Sequence, residues 1–369
     1  MKIAYYMPFK PLGHPNPSGD LVFGTELHDH LNQAGHDCRL VSRLRCRWIF
    51  LQPAGVLKLL LERRRVLHNL RPDRPDLWLS YHSYYKAPDL LGPYCARKLG
   101  IPYVIFQGIY STKRRRDLKT LPGFYLNRYA LTSARLVFTN KRRDERNLLR
   151  LLPRERVCYI APGIHTDQFR FKAEDRLRQR KSWGITTETV IMAAAMFRPG
   201  VKTLGLQTVI RACAGLVERG KDLKLVIAGD GKCREELHDL GNTLLPGRIV
   251  FSGRVPRQEL AACYSGADIF AFPGIEESLG MVYLEAQSCG LPVVAYEDWG
   301  GHEAVIDGAT GLLSPAATPE VFIDNIDRLV QDAALRRKLG RQAAEHVRAR
   351  HELSAGYALL GDTLLGLTW

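Results

Sequence analysis

Short apolar runs alternate with longer helical stretches along this chain, and that alternation constrains its fold more than any other feature. The runs Lys2–Tyr6, Cys38–Val41, Leu77–Tyr81, Tyr103–Phe106, Leu136–Thr139 and Cys158–Ala161 form one series. Val190–Ala195, Lys224–Ala228, Ile249–Ser252, Ile269–Phe272, Pro292–Ala295 and Gly311–Leu313 form a second. Each run has the length of a strand, and strands separated by helices build parallel sheets with helices on both faces. Two series predict an α/β chain of two doubly wound domains, and a length of 369 residues favours two domains over one. The break is placed in Ala161-Pro-Gly-Ile-His-Thr-Asp-Gln-Phe169, which carries the turn former Pro-Gly and no helical period. The expected domains are therefore residues 1–165 and 166–351. The stretch Thr318–Leu365 reads as largely helical, and its end, residues 352–369, is expected to pack back on the first domain.

Composition narrows the class. An apolar fraction of 46% and a charged fraction of 25% are ordinary for a soluble globular protein. No run of 18 or more apolar residues is present, so no membrane-spanning helix is expected. The opening Met1-Lys-Ile-Ala-Tyr-Tyr lacks a signal-peptide core and reads as a first strand. The 8 cysteines are scattered, with no C-x-x-C pair and no ligand-spaced histidines, which points to free thiols in a reducing cytosol rather than disulfides or a metal site.

Charge is distributed unevenly. Residues 1–170 hold 30 Lys+Arg against 13 Asp+Glu, whereas the rest of the chain holds 23 against 25. The excess clusters at Arg43-Leu-Arg-Cys-Arg47, Arg63-Arg-Arg65, Lys113-Arg-Arg-Arg116 and Lys141-Arg-Arg143. Such asymmetry implies an anionic partner of the first half. Arg43–Arg47 runs into Trp48-Ile-Phe-Leu51 and then Val56-Leu-Lys-Leu-Leu-Leu-Glu-Arg-Arg-Arg65, a mixture suited to peripheral docking on an anionic leaflet. No RNP, zinc-finger or helix-turn-helix signature accompanies the charge, so nucleic acid is not expected.

The densest chemical signal lies in the second half. The run Asp268-Ile-Phe-Ala-Phe272 leads into Glu277-Ser-Leu-Gly-Met-Val-Tyr-Leu-Glu285, then Ala286-Gln-Ser-Cys-Gly-Leu-Pro-Val-Val294. This reads as strand, glycine-containing loop, helix, turn and strand. Ligands of open α/β sheets bind beyond the carboxyl ends of the strands, and a helix N-terminus there suits a phosphate. Glu277 and Glu285 lie roughly 12 Å apart at about 1.5 Å per helical residue. Carboxylates so placed accept hydrogen bonds from hydroxyl groups on either side of a diphosphate, as in a nucleotide-sugar.

With these residues in view, the chain resembles the retaining GT-B glycosyltransferases, specifically glycosyltransferase family 4, most densely over 155–315 and more weakly over 1–155. The resemblance implies two Rossmann-like domains facing a central cleft, the first binding the acceptor and the second the nucleotide-sugar donor. The family's E-x7-E motif matches Glu277 and Glu285, which implies contacts to donor sugar and ribose hydroxyls respectively. The amides around Gly280, Met281 and Val282 would meet the diphosphate or sugar. In Ala195-Met-Phe-Arg-Pro-Gly-Val-Lys-Thr203, Lys202 matches the family's lysine, and Arg198 is the nearest counterpart of its arginine, at a spacing about one residue short. Thr203 stands where the family usually has glycine. Fixed positive charge there would stabilise the departing diphosphate. Lys224-Leu-Val-Ile-Ala-Gly-Asp-Gly231 resembles the family's Gly-Asp-Gly strand end, and Arg254 in Phe251-Ser-Gly-Arg-Val-Pro256 would lie against the nucleobase.

On the acceptor side, Pro17-Ser-Gly-Asp20 resembles the loop that approaches the donor phosphates, with Gly19 the residue of interest. His82 follows Leu77–Tyr81, and Gln107 stands where the family often has histidine. Glutamine cannot take up a proton, so no general base is assigned. The resemblance implies front-face attack with retention, the leaving diphosphate accepting the acceptor's proton. It implies no metal and no cofactor, the UDP- or GDP-sugar being a co-substrate. The acceptor would be a glycan or a lipid-linked molecule in polysaccharide or lipopolysaccharide assembly, on the cytoplasmic side. The alternatives are a nucleotide-sugar epimerase on the same architecture, a catalytically silent relative, and a nucleic-acid-binding protein resting on the charge of the basic first half alone.

Overall fold

All twelve apolar runs form strands, and their ends differ from the expected ones by no more than two residues. The computed structural model describes residues 1–15 and 19–367. The chain divides into two units, one of Met1–Ala161 with the chain from Ser354 onward, the other of Pro162–Leu353. The first unit holds β1 (Lys2–Tyr6), β2 (Asp37–Ser42), β3 (Leu77–Ser83), β4 (Tyr103–Gly108), β5 (Leu136–Thr139) and β6 (Val157–Tyr159), in the order β2-β1-β3-β4-β5-β6. The second holds β7 (Thr189–Ala194), β8 (Leu223–Ala228), β9 (Ile249–Gly253), β10 (Ile269–Ala271), β11 (Val293–Tyr296) and β12 (Gly311–Ser314), in the order β12-β11-β10-β7-β8-β9. Every strand pairing within the two sheets is parallel.

Burial explains why these strands read as unbroken apolar runs. A parallel sheet is covered on both faces, so no position alternates to solvent. Val190, Ile191, Met192 and Ala193 of β7 have no exposed surface, and the same holds for Ile269, Phe270 and Ala271 of β10. A buried side chain of this size contributes about 1.5–3 kcal/mol relative to exposure.

Each sheet reverses its winding at one place. In the first unit the reversal falls between β1 and β3, and in the second between β7 and β10. The loops leaving these strands diverge to opposite faces and open a crevice at their carboxyl ends. In the first unit His82 stands at the end of β3 and the loop after β1 leads to Gly19; in the second the loops carry Arg198 and Glu277, and the one after β7 leads into the helix that holds Lys202.

The division falls between Ala161 and Pro162, inside the Pro-Gly segment and four residues before the break expected at 165/166. The chain leaves the second unit after Leu353, close to where residues 352–369 were expected to turn back. Within the second unit these two passages are tied together. The Ile164 amide donates to the His351 carbonyl and the Leu353 amide to the Ile164 carbonyl, both at 2.9 Å, and Glu352 accepts from Thr166. The closing helix Leu353–Leu365 buries Tyr357, Leu360 and Leu364. In the first unit the Tyr357 ring lies 5.4 Å from His30 and 6.4 Å from Phe106.

Candidate active site

In the second unit, the loop after β7 runs into the helix Val201–Glu218, and the loop after β10 into the helix Met281–Ser288. No side chain caps either helix N-terminus. Gly280 precedes the second helix with a φ of 68°, and a Cβ there would come within 2.5 Å of the Tyr283 ring. Only glycine adopts that backbone so close to an aromatic side chain without strain. Helical bonding begins with the Tyr283 amide donating to the Gly280 carbonyl at 2.9 Å. The amides of Gly280, Met281 and Val282 thus precede the hydrogen-bond ladder, at the positive end of the helix dipole. Met281 and Val282 are half-buried.

The structure brings Lys202 and Glu277 together. The Lys202 ammonium, in the first turn of Val201–Glu218, pairs with the Glu277 carboxylate, and both side chains are largely covered. The ammonium also lies 5.3 Å from the centre of the Phe272 ring. Burial alone would raise the Glu277 carboxyl, but the charge and hydrogen bond of Lys202, with the Ser278 and Leu279 amides, hold it below its ordinary range. Gly300 closes one side of this loop: a Cβ on it would lie 3.1 Å from the Glu277 carbonyl oxygen and 3.2 Å from the Gly280 nitrogen. Gln287 holds the following turn by donating to the Ala304 carbonyl at 2.8 Å.

Glu285 sits farther along the same helix in a different setting. It is buried; the Tyr264 hydroxyl donates to it at 3.3 Å, and the Arg257 guanidinium stands 3.6 Å away. Burial pushes its carboxyl up to about 7 against the opposing pull of Arg257 and Tyr264. The two acidic residues of the motif therefore each face a cation, Lys202 and Arg257, but differ in ionisation.

Arg198 and Arg254 are placed otherwise. The Arg198 side chain is exposed, and its carbonyl accepts the Thr203 hydroxyl at 2.8 Å. Threonine in place of the family's glycine thus pins the loop on which Arg198 stands. Arg254, just past β9, is also exposed. The Gly229-Asp-Gly231 turn lies against the β7 loop: the Cys233 amide donates to the Phe197 carbonyl at 3.0 Å, and a Cβ on Gly231 would meet that same oxygen at 2.5 Å. Glycine is required there because the two backbones touch.

In the first unit, Gly19 opens the helix Gly19–Gln33; Pro17 and Ser18, quoted with it, lie outside the described residues. No described atom lies within 4 Å of where a Cβ on Gly19 would be, so the fold does not itself demand glycine. The next residue, Asp20, places its carboxylate 3.1 Å from Nδ1 of His82. Burial would raise the Asp20 carboxyl, but His82, Lys141 and Lys10 hold it below its ordinary value. Asp144 is buried nearby, and burial raises its carboxyl despite the charges of Lys141, Arg143 and His82.

His82 and Gln107 share an unusual backbone, with φ of 64° and 59° in the left-handed region. Both are buried. A non-glycine residue held this way costs on the order of 1–3 kcal/mol and persists only where its surroundings fix it. Here Ser83 donates to Asn127 at 2.8 Å, and Asn127 donates to the Ile109 carbonyl at 2.8 Å, clamping the ends of β3 and β4 together.

Asp20, Asp144, Arg257 and Tyr264 were not singled out in the sequence. Asp20 stood within the quoted loop, and its place in the first helical turn after β1 was the available signal. Nothing local marks Asp144, Arg257 or Tyr264, whose roles arise from packing between elements distant in sequence. Among the described residues, no three His, Cys, Asp or Glu side chains gather where they could hold a metal ion.

Two doubly wound sheets of this order, with a cationic and acidic crevice at the second reversal, define the GT-B class of glycosyltransferase. Anabaena HepE, solved in complex with UDP and glucose, superimposes with a TM-score of 0.72 over 100% of both chains at 19% identity. Residues 175–346 match the family described as glycosyl transferases group 1. The alpha-D-kanosaminyltransferase of Streptomyces kanamyceticus is 31% identical over 316 residues, covering 82% of this chain and 80% of that protein. The GDP-mannose-dependent alpha-(1-6)-phosphatidylinositol monomannoside mannosyltransferase of Mycolicibacterium smegmatis is 32% identical over 207 residues, 54% of this chain and 52% of its own length. The chain belongs to the glycosyl transferases group 1 family and is a glycosyltransferase.

Proposed function

We propose that the chain is a retaining, metal-independent glycosyltransferase that moves a sugar from a UDP- or GDP-sugar to a hydroxyl of a glycan or lipid-linked acceptor. We place it on the cytoplasmic side, in the assembly of cell-surface polysaccharide or lipopolysaccharide. The observation that carries this reading is the Lys202–Glu277 pair, set at the sheet's reversal beside two helix N-termini that no side chain caps. Together they offer an ammonium and free amides to a diphosphate, and a carboxylate to sugar hydroxyls. Both bases have precedent among relatives: HepE was solved with UDP, and the mannosyltransferase is named as GDP-mannose-dependent. That second name also supports a lipid-linked acceptor.

As the bond from the anomeric carbon to the diphosphate oxygen breaks, negative charge grows on the leaving group. Lys202 and the helix dipoles stabilise it without reorganising, and Arg198 adds charge when its exposed side chain swings in. The acceptor oxygen bonds to the anomeric carbon on the face the diphosphate leaves. Attack on that face needs no protein nucleophile, and the acceptor's proton passes to the departing diphosphate, so no protein base is needed either. His82, steadied by Asp20, orients the acceptor, and Gln107 hydrogen-bonds a sugar hydroxyl.

A thermal-shift panel of UDP-, GDP- and ADP-sugars tests the donor assignment. A rise with one base class is expected; no rise with any of them would remove the reading. Product analysis without acceptor separates transfer from epimerisation, since release of an altered sugar nucleotide would mark an epimerase.

A further inference from the structure

We propose that the first unit holds a binding site for a small organic phosphate of the nucleotide class, in a hollow at the amino ends of β4, β5 and β6. The hollow has a volume of about 550 Å³ and is walled by residues of the helices Gly92–Leu99 and Leu121–Ser133 and of the sheet edge between them. Val104 of β4 pairs with Leu136 of β5, and Val137 with Val157 of β6, so the three strands begin side by side. At or just before these starts stand Tyr103, Arg135 and Arg156, and all three line the hollow. The Arg135 amide donates to the Tyr103 carbonyl at 2.7 Å, which fixes where the Arg135 side chain leaves the sheet edge. Arg97, in the last turn of Gly92–Leu99, supplies a third guanidinium.

These arginines are not engaged alike. Arg156 is anchored where the helix Leu121–Ser133 ends: its Nε donates to the Ala134 carbonyl at 3.1 Å and its Nη2 to the Thr132 carbonyl at 2.7 Å. Arg97 and Arg135 are exposed, and neither guanidinium has a hydrogen-bond or ion-pair partner among the described residues. No Asp or Glu is among the residues that line the hollow. Three like charges converging without a carboxylate leave a positive field that an anion relieves. Guanidinium forks match phosphate oxygens in geometry as well as in charge. The rest of the wall is largely apolar, with Ala96, Ile101 and Pro102 beside the Tyr129 ring, which is 48% exposed. A nucleobase has a flat face to stack on that ring. A bare phosphate would fill only a small part of the volume, which falls within the range of about 300–1,000 Å³ that small organic ligands occupy.

The hollow is separate from the transfer site. The crevice described above opens at the carboxyl ends of the strands. β4, with 6 residues, puts about 20 Å between its two ends at roughly 3.3 Å per residue. Binding here is independent of the donor assignment. Modification of arginines with phenylglyoxal, mapped by peptide mass spectrometry, tests the site residue by residue. UDP and GDP are expected to slow modification of Arg97 and Arg135, whereas uridine and guanosine leave it unchanged. Added salt should weaken the protection. Arg135→Ala is expected to raise the UDP concentration that protects Arg97 about tenfold, for the loss of a charge-assisted hydrogen bond. Tyr129→Ala is expected to raise it about fivefold, for the loss of one stacked base. Both positions are exposed, so both variants should keep the native melting temperature. Lys202→Ala should leave the protection intact, which separates this site from the donor crevice. Modification unaltered by UDP and GDP, or protection that vanishes in Lys202→Ala, would overturn the site. Pyrophosphate protecting as well as UDP would mark an adventitious ion only and overturn the nucleotide assignment.

Discussion

The two motif carboxylates differ chiefly in what surrounds them. Glu277, held low by Lys202, is ionised in the free protein, whereas Glu285 is lifted to about 7 by burial. The unfolded chain releases the Glu285 proton near 4.5, so between these values the native state binds a proton that the unfolded state has lost. Stability must therefore fall as pH rises through this window, with the loss complete above about pH 8 and worth about 3 kcal/mol. Glu285→Gln cannot ionise, so its melting temperature should gain on the native protein's as pH is raised from about 5 to about 8. A constant gap would mean Glu285 is solvated. Lys202→Ala should weaken nucleoside diphosphate binding in calorimetry by about 2 kcal/mol, a loss typical of a hydrogen bond to a charged group. Glu277→Ala should depress transfer more than it depresses that binding, and Glu285→Ala should weaken the nucleotide. Unchanged affinity in both Lys202→Ala and Glu285→Ala would sink the donor-site assignment. Lys202 and Glu277 were legible because loop and helix signals flanked them; Arg257 was not, since only the packing of its helix against Met281–Ser288 brings it to Glu285.

At the level of elements, hydrophobic pattern located every strand but stopped two residues short at two of them. The apolar runs end at Tyr81 and Phe106, while β3 and β4 continue through His82-Ser83 and Gln107-Gly108. Polar residues that finish a buried strand carry no periodic signal, and these are the residues whose backbone is strained. Gln107→Gly should relieve that strain, so the variant should melt no lower than the native protein while transfer falls at least about tenfold. A parallel loss of stability would make Gln107 structural. Gly280→Ala tests the helix N-terminus in the opposite sense. Its Cβ would meet Tyr283 on a left-handed backbone, so stability should fall by about 1–2 kcal/mol, and diphosphate affinity should fall with it. The charge clusters were legible as clusters only: Arg63 is taken by the Leu90 carbonyl and Arg65 by Glu62, contacts within the unit that sequence spacing does not reveal.

For the whole molecule, the helix Leu353–Leu365 belongs from Ser354 on to the first unit although the second lies before it in the chain. Losing the burial of Tyr357, Leu360 and Leu364 would remove on the order of 6 kcal/mol, comparable to the entire stability of a typical domain. Ending the chain at Leu353 should therefore lower one calorimetric transition, that of the first unit, and leave the transition of the second where it was. If both move together, the units do not melt separately. The arrangement also governs biosynthesis. A ribosome releases β1 before the second unit and this helix after it, so the first unit waits, incomplete, while its neighbour is translated and folds. Until then the seat of Tyr357 beside Phe106 stays open, an apolar surface that a chaperone would be expected to hold during synthesis.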